Sequence, residues 1–461
     1  MVYTDNGAKD LKIAYIGGGS RNWAWCLMAD LAKDADICGE IRLFDIDKSA
    51  AEDNSRVGNA LAKREEVKSA WTYKVADTIG DALTGADFVV ISILPGTFEE
   101  MRSDVHLPEE YGIYQSVGDT VGPAGILRGL RSVPLFLGFA REIERYAPNA
   151  WVINYTNPMT LCTRALYEGF PGIKAFGCCH EVMGFREAFM SALKDIRGIE
   201  VKNKKDIKMN VLGINHFTWI DRAYYQNIDL MPLYMEFAKK YAKVGFSAKS
   251  DDWVPGADSA YMVVFDMALR YGIIATGGDR HLAEFVPWYL TSPEAVNGWK
   301  FNLTTVDERI KGMNEAEEER QQVLAGERKL DLEWESGEEG VEQIKSLIGL
   351  CELVTNVNMP NRGSQGGIPL GAVVEQNAVF NALGVTPIMA SALPDPVLSL
   401  VNRHVYNQET IIRAVVNEDK QLAFQALIND PLVNLPIDKS WEMFTRMLDN
   451  TKAYLPAWLR P

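Results

Sequence analysis

The sequence predicts an α/β protein: a parallel sheet wrapped by helices over residues 1–182, followed by a mixed α+β half over residues 183–461. Three observations carry that expectation. From Lys12 to Gly177 short β-rich apolar runs alternate with helical segments. A glycine turn, Gly17-Gly18-Gly19-Ser20, directly follows the first apolar run. After Met183 the texture changes to a helix, an antiparallel hairpin pattern over 208–225 and then mostly helices through the acidic stretch 306–340.

Taken in order, the expected strands are 12–16, 41–45, 87–93, 151–154 and 174–177, with the weaker run 71–75 at an edge. The helices between them are expected near 23–32, 49–63, 133–146 and 159–168. A chain of 461 residues, 47% hydrophobic and 24% charged, buries enough surface for two domains. The first, 1–182, is the nucleotide-binding unit; the second, 183–461, is expected to bind substrate and to mediate oligomerisation. Residues 315–320 read as a solvated helix face.

A net charge of −15 with no basic tract argues against nucleic acid as a partner. The longest apolar run, 88–94, is too short to span a bilayer, and the first ten residues lack the features of a secretory signal. Cys26, Cys38, Cys162, Cys178, Cys179 and Cys351 have no disulfide-framework spacing, so reduced thiols in the cytoplasm are the expectation.

The segment Ile13-Ala14-Tyr15-Ile16-Gly17-Gly18-Gly19-Ser20 is strand then turn, with helical character following. Glycines there let the backbone approach a pyrophosphate, whose charge meets the helix N-terminal amides. Asn22 stands where the third glycine of the G-x-G-x-x-G pattern would be. The second strand ends in Asp45, a carboxylate suited to ribose hydroxyls and hostile to a 2′-phosphate, which favours NAD over NADP; Asp47 is the alternative acid.

Strand 174–177 runs into Cys178-Cys179-His180-Glu181-Val182, and the run Val211-Leu212-Gly213-Ile214 ends in Asn215-His216. A thiolate from Cys179 and an imidazole from His216 could hold a divalent metal with positions left open for substrate oxygens. The same residues could instead be core. On chemistry alone a thiolate suits zinc or iron as readily as manganese.

Together with the Gly118-Asp119-Thr120 loop, Asn154-Tyr155-Thr156-Asn157-Pro158 and the weaker Gly277-Gly278-Asp279-Arg280-His281, these motifs resemble glycoside hydrolase family four. The resemblance implies a fold similar to lactate and malate dehydrogenases, with activity dependent on NAD and a divalent metal, usually Mn2+. The Cys179-His180-Glu181-Val182 quartet looks most like the branch acting on α-galacturonides, a small-molecule saccharide substrate; the nearest alternatives are α-glucuronides or neutral α-glycosides. The implied route is oxidation at C3 by NAD, proton removal at C2, elimination of the aglycone, water addition and return of the hydride, an exception to two-carboxylate hydrolysis. It also implies a homodimer or homotetramer.

Carried residue by residue, the resemblance gives Cys179 and His216 the metal, and His180 the leaving group or sugar orientation. Asp279 is favoured for the C2 base, a tyrosine being the family's alternative. Asn157 and Asp119 are assigned to the substrate, with Asn154 a second candidate near the nicotinamide ribose. A uronate needs a cation: Arg280 ranks first, then Arg128 and Arg131. Trp288-Tyr289 could line a sugar pocket or belong to the core. Two departures stand out: a cysteine doubled before His180, and Gly122-Pro123-Ala124-Gly125 in place of a more glycine-rich stretch. A hydroxy-acid dehydrogenase using His216 as base, or a non-catalytic NAD sensor, would each leave Cys179 without a role.

Overall fold

The computed structural model describes residues 1–21, 23–69, 71–246, 259–332 and 339–460; Asn22 lies outside them. Its spine is a ten-stranded sheet. Phe88–Ile91 is buried at every position, as a strand covered on both faces must be. Its parallel neighbours run from Thr72–Val75 through Ile37–Phe44, Gly7–Ile16, Phe88–Ile91 and Trp151–Asn154 to Lys174–Gly177. Numbered from Gly7–Ile16, this is the order 3-2-1-4-5-6 of a Rossmann fold, and the expected edge strand is where it was drawn. The switch point falls between Gly7–Ile16 and Phe88–Ile91, directly beside the glycine turn.

The sheet then continues past the strands expected from sequence. Leu353–Pro360, Val373–Asn381 and Gly384–Pro387 add antiparallel strands, joined through the pair Asn358 and Gly177. They escape pattern reading because the first, LVTNVNMP, buries asparagine and threonine where alternation looks for apolar residues.

The helix expected at 133–146 begins at Gly122 and ends at Tyr146. Its first turns are glycine-rich and read as loop, yet Gly125 is there for packing: a Cβ on it would stand 2.4 Å from the carbonyl carbon of Thr120. Helix Val306–Ala325 carries the 315–320 run, which is not wholly solvated. Arg320 is buried and pairs with Asp53 at 3.2 Å and Glu317 at 2.7 Å, while Glu317 also meets Arg21, so this face docks on the nucleotide-binding unit.

A second, four-stranded antiparallel sheet holds Ile207–Ile214, Phe217–Tyr225, Ile228–Asp229 and Ile274–Ala275. The expected hairpin is present, and Asn215-His216 is its two-residue tip. Below the tip Phe217 stacks on Phe285 at 4.6 Å, and helix Asp395–Val416 adds His404, whose Nε2 meets the Phe285 carbonyl at 2.8 Å. No described helix is long and apolar enough to cross a membrane.

Burial lowers His404 to about 4. A depressed value means the unfolded chain binds the proton first, so this stabilisation is present above pH 6.5 and is lost as pH falls towards 4. His404→Gln keeps a donor for Phe285 and removes the titration. The stability difference between pH 7 and pH 4, measured by urea unfolding, is expected to shrink by roughly 3 kcal/mol relative to the parent.

Candidate active site

The glycine turn is built by close approach. Gly17 has φ +93°, and a Cβ on it would lie 1.9 Å from the Ser92 carbonyl oxygen across the switch point. A Cβ on Gly19 would meet Ala50 Cβ at 2.8 Å and Asp45 Oδ2 at 3.0 Å. The Gly19 amide donates to Asp45 Oδ2 at 2.8 Å, which fixes the carboxylate at the turn, while Asp47 donates its amide to Asp45 and caps the next helix. Asn54, unmarked in the sequence, donates to the carbonyls of Gly18 and Ser20 at 2.8 Å each and accepts from Trp25 Nε1. A cradle that a side chain would fill, at the mouth of the central strand with an acid at the next strand end, fits a dinucleotide.

At the end of the sheet's far parallel strand, Cys179 Sγ stands 3.5 Å from His216 Nε2. Glu181 Oε2 is 3.8 Å from the same nitrogen, so thiol, imidazole and carboxylate ligand atoms all lie within 4.8 Å of one another. His216 holds φ +62°, an uncommon backbone state for a side chain of its size, at the hairpin tip. Burial lowers it to about 4, leaving a neutral imidazole at neutral pH, the form that binds metals. Burial pushes Glu181 well above the usual carboxylate range, with Glu375 and Asp119 adding and Arg280 opposing. A cation seated among these three atoms would answer that repulsion, so the donor set fits a divalent metal.

Behind His216 runs a relay. Thr120 Oγ1 is 2.7 Å from His216 Nδ1 and donates to Asp119 Oδ1 at 2.8 Å. With Nε2 kept for a metal, Nδ1–H donates to Thr120, which passes its own proton donation to Asp119. Burial disfavours an ionised Asp119, yet His281, His216, Arg128 and Arg309 outweigh it and hold it well below the carboxylate range. Asn157 Nδ2 approaches Asp119 Oδ2 at 3.4 Å, and the His281 ring lies over His216 at 3.7 Å. Glu284, pushed up to about 8 by burial, accepts from the amides of Val117 and Gly118 at 2.8 Å and so fixes the loop that carries Asp119. Thr120→Val leaves both neighbours without the hydroxyl and is expected to weaken Mn2+ binding 10- to 100-fold, by roughly the usual outer-shell effect, measured by calorimetric titration.

Asn215, preceding His216, donates to Glu375 Oε2 at 3.1 Å, and Asn356 donates to the other oxygen at 2.7 Å. The unexpected C-terminal strands therefore hold the hairpin tip. Trp23, the first residue of the helix after the glycine turn, lies 5.9 Å from both the Tyr155 and His180 rings. The dinucleotide turn and the thiol–imidazole pair adjoin.

Two of the expected site residues also serve the fold. Asn154 is wholly buried and its side chain braces its own loop, accepting from the Thr156 amide at 2.9 Å and donating to Thr156 and Thr163. Asp279 is also wholly buried, with Oδ1 accepting the Val264 amide at 2.9 Å in the first turn of helix Met262–Tyr271. Burial raises it to about 6, and its Oδ2 is buried with no hydrogen-bond partner among the described residues. Among the arginines, Arg131 is taken by Asp104 in a buried pair. Arg280 stands beside Glu181 and offers its carbonyl to Ser116. Tyr289 is buried against Asp266 and Trp288 is exposed on Tyr271, so neither joins the cluster. Thr120 and Glu181 had a sequence signal, adjacency to Asp119 and Cys179; Asn54, Glu284 and Glu375 had none.

A Rossmann sheet whose nucleotide turn abuts a thiol, an imidazole and a carboxylate defines an enzyme of the class that pairs a dinucleotide with a metal. Comparison narrows the class. Residues 12–195 match Family 4 glycosyl hydrolase and residues 211–433 match Family 4 glycosyl hydrolase C-terminal domain. The chain belongs to glycoside hydrolase family 4. It is 56% identical over 462 aligned residues, 99% of each chain, to the alpha-galacturonidase of Thermoanaerobacterium saccharolyticum. The crystal structure of lplD from Bacillus subtilis superposes with a TM-score of 0.91 at 48% identity, covering 96% of this chain and 100% of that one. A 6-phospho-alpha-glucosidase from gut microorganisms, solved in complex with NAD and Mn2+, shares the fold with a TM-score of 0.80 at 21% identity over 97% of this chain and 99% of that one.

Proposed function

We propose that this glycosidase is an α-galacturonidase, releasing galacturonic acid from short α-linked pectic oligosaccharides with NAD and a divalent metal, Mn2+. The observation that carries the reading is the meeting of the glycine turn with Cys179, His216 and Glu181. The full-length identity to an alpha-galacturonidase supports the substrate. Glu181 adds an oxygen donor to a soft thiolate, which moves the site towards a hard ion such as manganese.

When bound, NAD supplies a reversible hydride acceptor and the metal a Lewis acid for sugar oxygens. The protein does the rest. Amides of Gly17, Gly18, Gly19 and Ser20 meet the pyrophosphate, and Asp45 takes the ribose hydroxyls. Cys179, His216 and Glu181 fix the metal, with Thr120 and Asp119 setting the imidazole tautomer. Asn157 and Asp119 orient the sugar hydroxyls. His180, held against Trp23, delivers a proton to the leaving oxygen. The C2 proton falls to Asp279, whose Oδ2 is buried without a partner among the described residues, or to a tyrosine, the family's alternative.

The enzyme is placed in the cytoplasm as a homodimer or homotetramer acting on small saccharides rather than nucleic acid or membranes. The net charge of −15, with no basic tract, supports the exclusion of nucleic acid.

The test follows free galacturonic acid and NADH absorbance together, using oligogalacturonide, NAD and Mn2+. Release that requires NAD without NADH accumulating is expected, with solvent deuterium appearing at C2. Net NADH formation without release would instead mean a dehydrogenase.

A further inference from the structure

Arg128 is more than nine-tenths buried, on the second turn of helix Gly122–Tyr146. Its Nε donates to the Asn157 carbonyl at 3.0 Å, and among the described residues its other nitrogens have no hydrogen-bond or ion-pair partner. Asp119 supplies a nearby negative charge but no hydrogen bond to Arg128, so the desolvated fork keeps Nη donors without acceptors among the described residues, and such donors suit an arriving anion. The neighbourhood points the same way. Arg309, in the first turn of helix Val306–Ala325, spends one Nη2 donation on the Val117 carbonyl at 2.8 Å, has a buried Nε with no partner, and forms no carboxylate pair among the described residues. Both guanidinium groups act on Asp119, so they border the cluster of Asp119, Asn157 and His216. Arg131, one turn further along the same helix face, has its carboxylate already in Asp104; Arg128 does not.

We infer that Arg128, with Arg309 beside it, receives the carboxylate of the bound sugar and is the group that separates uronides from neutral glycosides. The inference rests on the galacturonidase reading and replaces Arg280, which serves Glu181. A planar fork offering Nη donors suits the two oxygens of a carboxylate, and the position beside Asn157 sets it on the sugar rather than on the cofactor phosphates. A sugar 6-phosphate shares the chemistry of an anion on C6, and the assay separates the two.

The enzyme loaded with NAD and Mn2+ is compared as the parent, R128M, R128K and R309Q on nitrophenyl α-galacturonide, α-galactoside and α-galactoside 6-phosphate. Galacturonate binding is measured separately by calorimetry on the NAD complex. The parent is expected to prefer the galacturonide. R128M should reduce the kcat/KM preference for galacturonide over galactoside on the order of a hundredfold and weaken galacturonate binding in parallel. R128K should fall between, because an ammonium keeps charge but not the fork. The melting shift caused by NAD reports folding; if R128M loses it, R128K and R309Q decide. A parent enzyme with no preference overturns the substrate reading, and one that prefers the 6-phosphate overturns the carboxylate assignment. A parent that prefers the galacturonide while all three variants keep that preference overturns the role of Arg128 alone.

Discussion

His216→Asn and Cys179→Ser are each expected to cut turnover by ~10³-fold or more, since the metal's charge stabilisation of sugar oxygens goes with its ligands. Asparagine is the informative replacement at 216. It tolerates the left-handed backbone at φ +62°, so the hairpin tip keeps its shape while the Nε2 ligand disappears. The parallel readout is bound manganese after gel filtration, which should fall from near one per chain to background in both variants. Cys178→Ser is the internal control. The Cys178 thiol is buried and donates to Gln343 Oε1 at 3.1 Å, away from the cluster, and serine can keep that contact. If H216N retains manganese at the parent's stoichiometry, the metal assignment fails, whatever happens to activity.

The control also shows where sequence reading had purchase. Two adjacent cysteines look alike in a string, and only packing separates them: just past strand Lys174–Gly177, Cys178 is buried on Gln343 and Cys179 meets His216. Motifs located the glycine turn, Asp45, Cys179 and His216, because each ends a strand that apolar periodicity marks well. They gave no access to residues whose importance lies in long-range contact. Glu375 is far along the chain in a polar strand, yet it holds Asn215 through a 3.1 Å hydrogen bond and so sets the turn that presents His216. Arg309 sits in the first turn of a long acidic helix, where nothing in composition distinguishes a pocket guanidinium from a surface one. Asp279 shows a structural demand that the string did not reveal. A glycine-flanked aspartate near the motifs looked available, but the helix beginning at Met262 needed a cap, and a buried amide cluster is a stronger claim on a carboxylate than solvent.

The glycine turn allows a second large effect, in which two substitutions strain the fold by different amounts and both reach the cofactor site. Gly17→Ala places a Cβ 1.9 Å from the Ser92 carbonyl oxygen and demands φ +93° from an alanine. Neither can relax cheaply, because Ser92 follows the central strand Phe88–Ile91 and its amide is bonded to Ile16. Strain and overlap together should destabilise the chain by about 3 kcal/mol or more, read as a lower urea midpoint, with NAD binding lost as well. Gly19→Ala has no such backbone conflict. Its Cβ would overlap Ala50 Cβ at 2.8 Å, which moves only with the backbone of helix Lys48–Leu61, and would press the Asp45 carboxylate at 3.0 Å. The urea midpoint should fall less than in Gly17→Ala, which adds a positive φ and a carbonyl overlap, while NAD affinity drops on the order of tenfold to a hundredfold, because the turn can no longer bring its amides against the pyrophosphate and Asp45 is pushed off the ribose. Fluorescence titration with NAD on both variants, beside the unfolding curves, checks the pair. A Gly19→Ala protein that binds NAD as the parent does would show that the cofactor does not lie in this turn, and the link between the turn and the Cys179–His216 cluster would have to be given up.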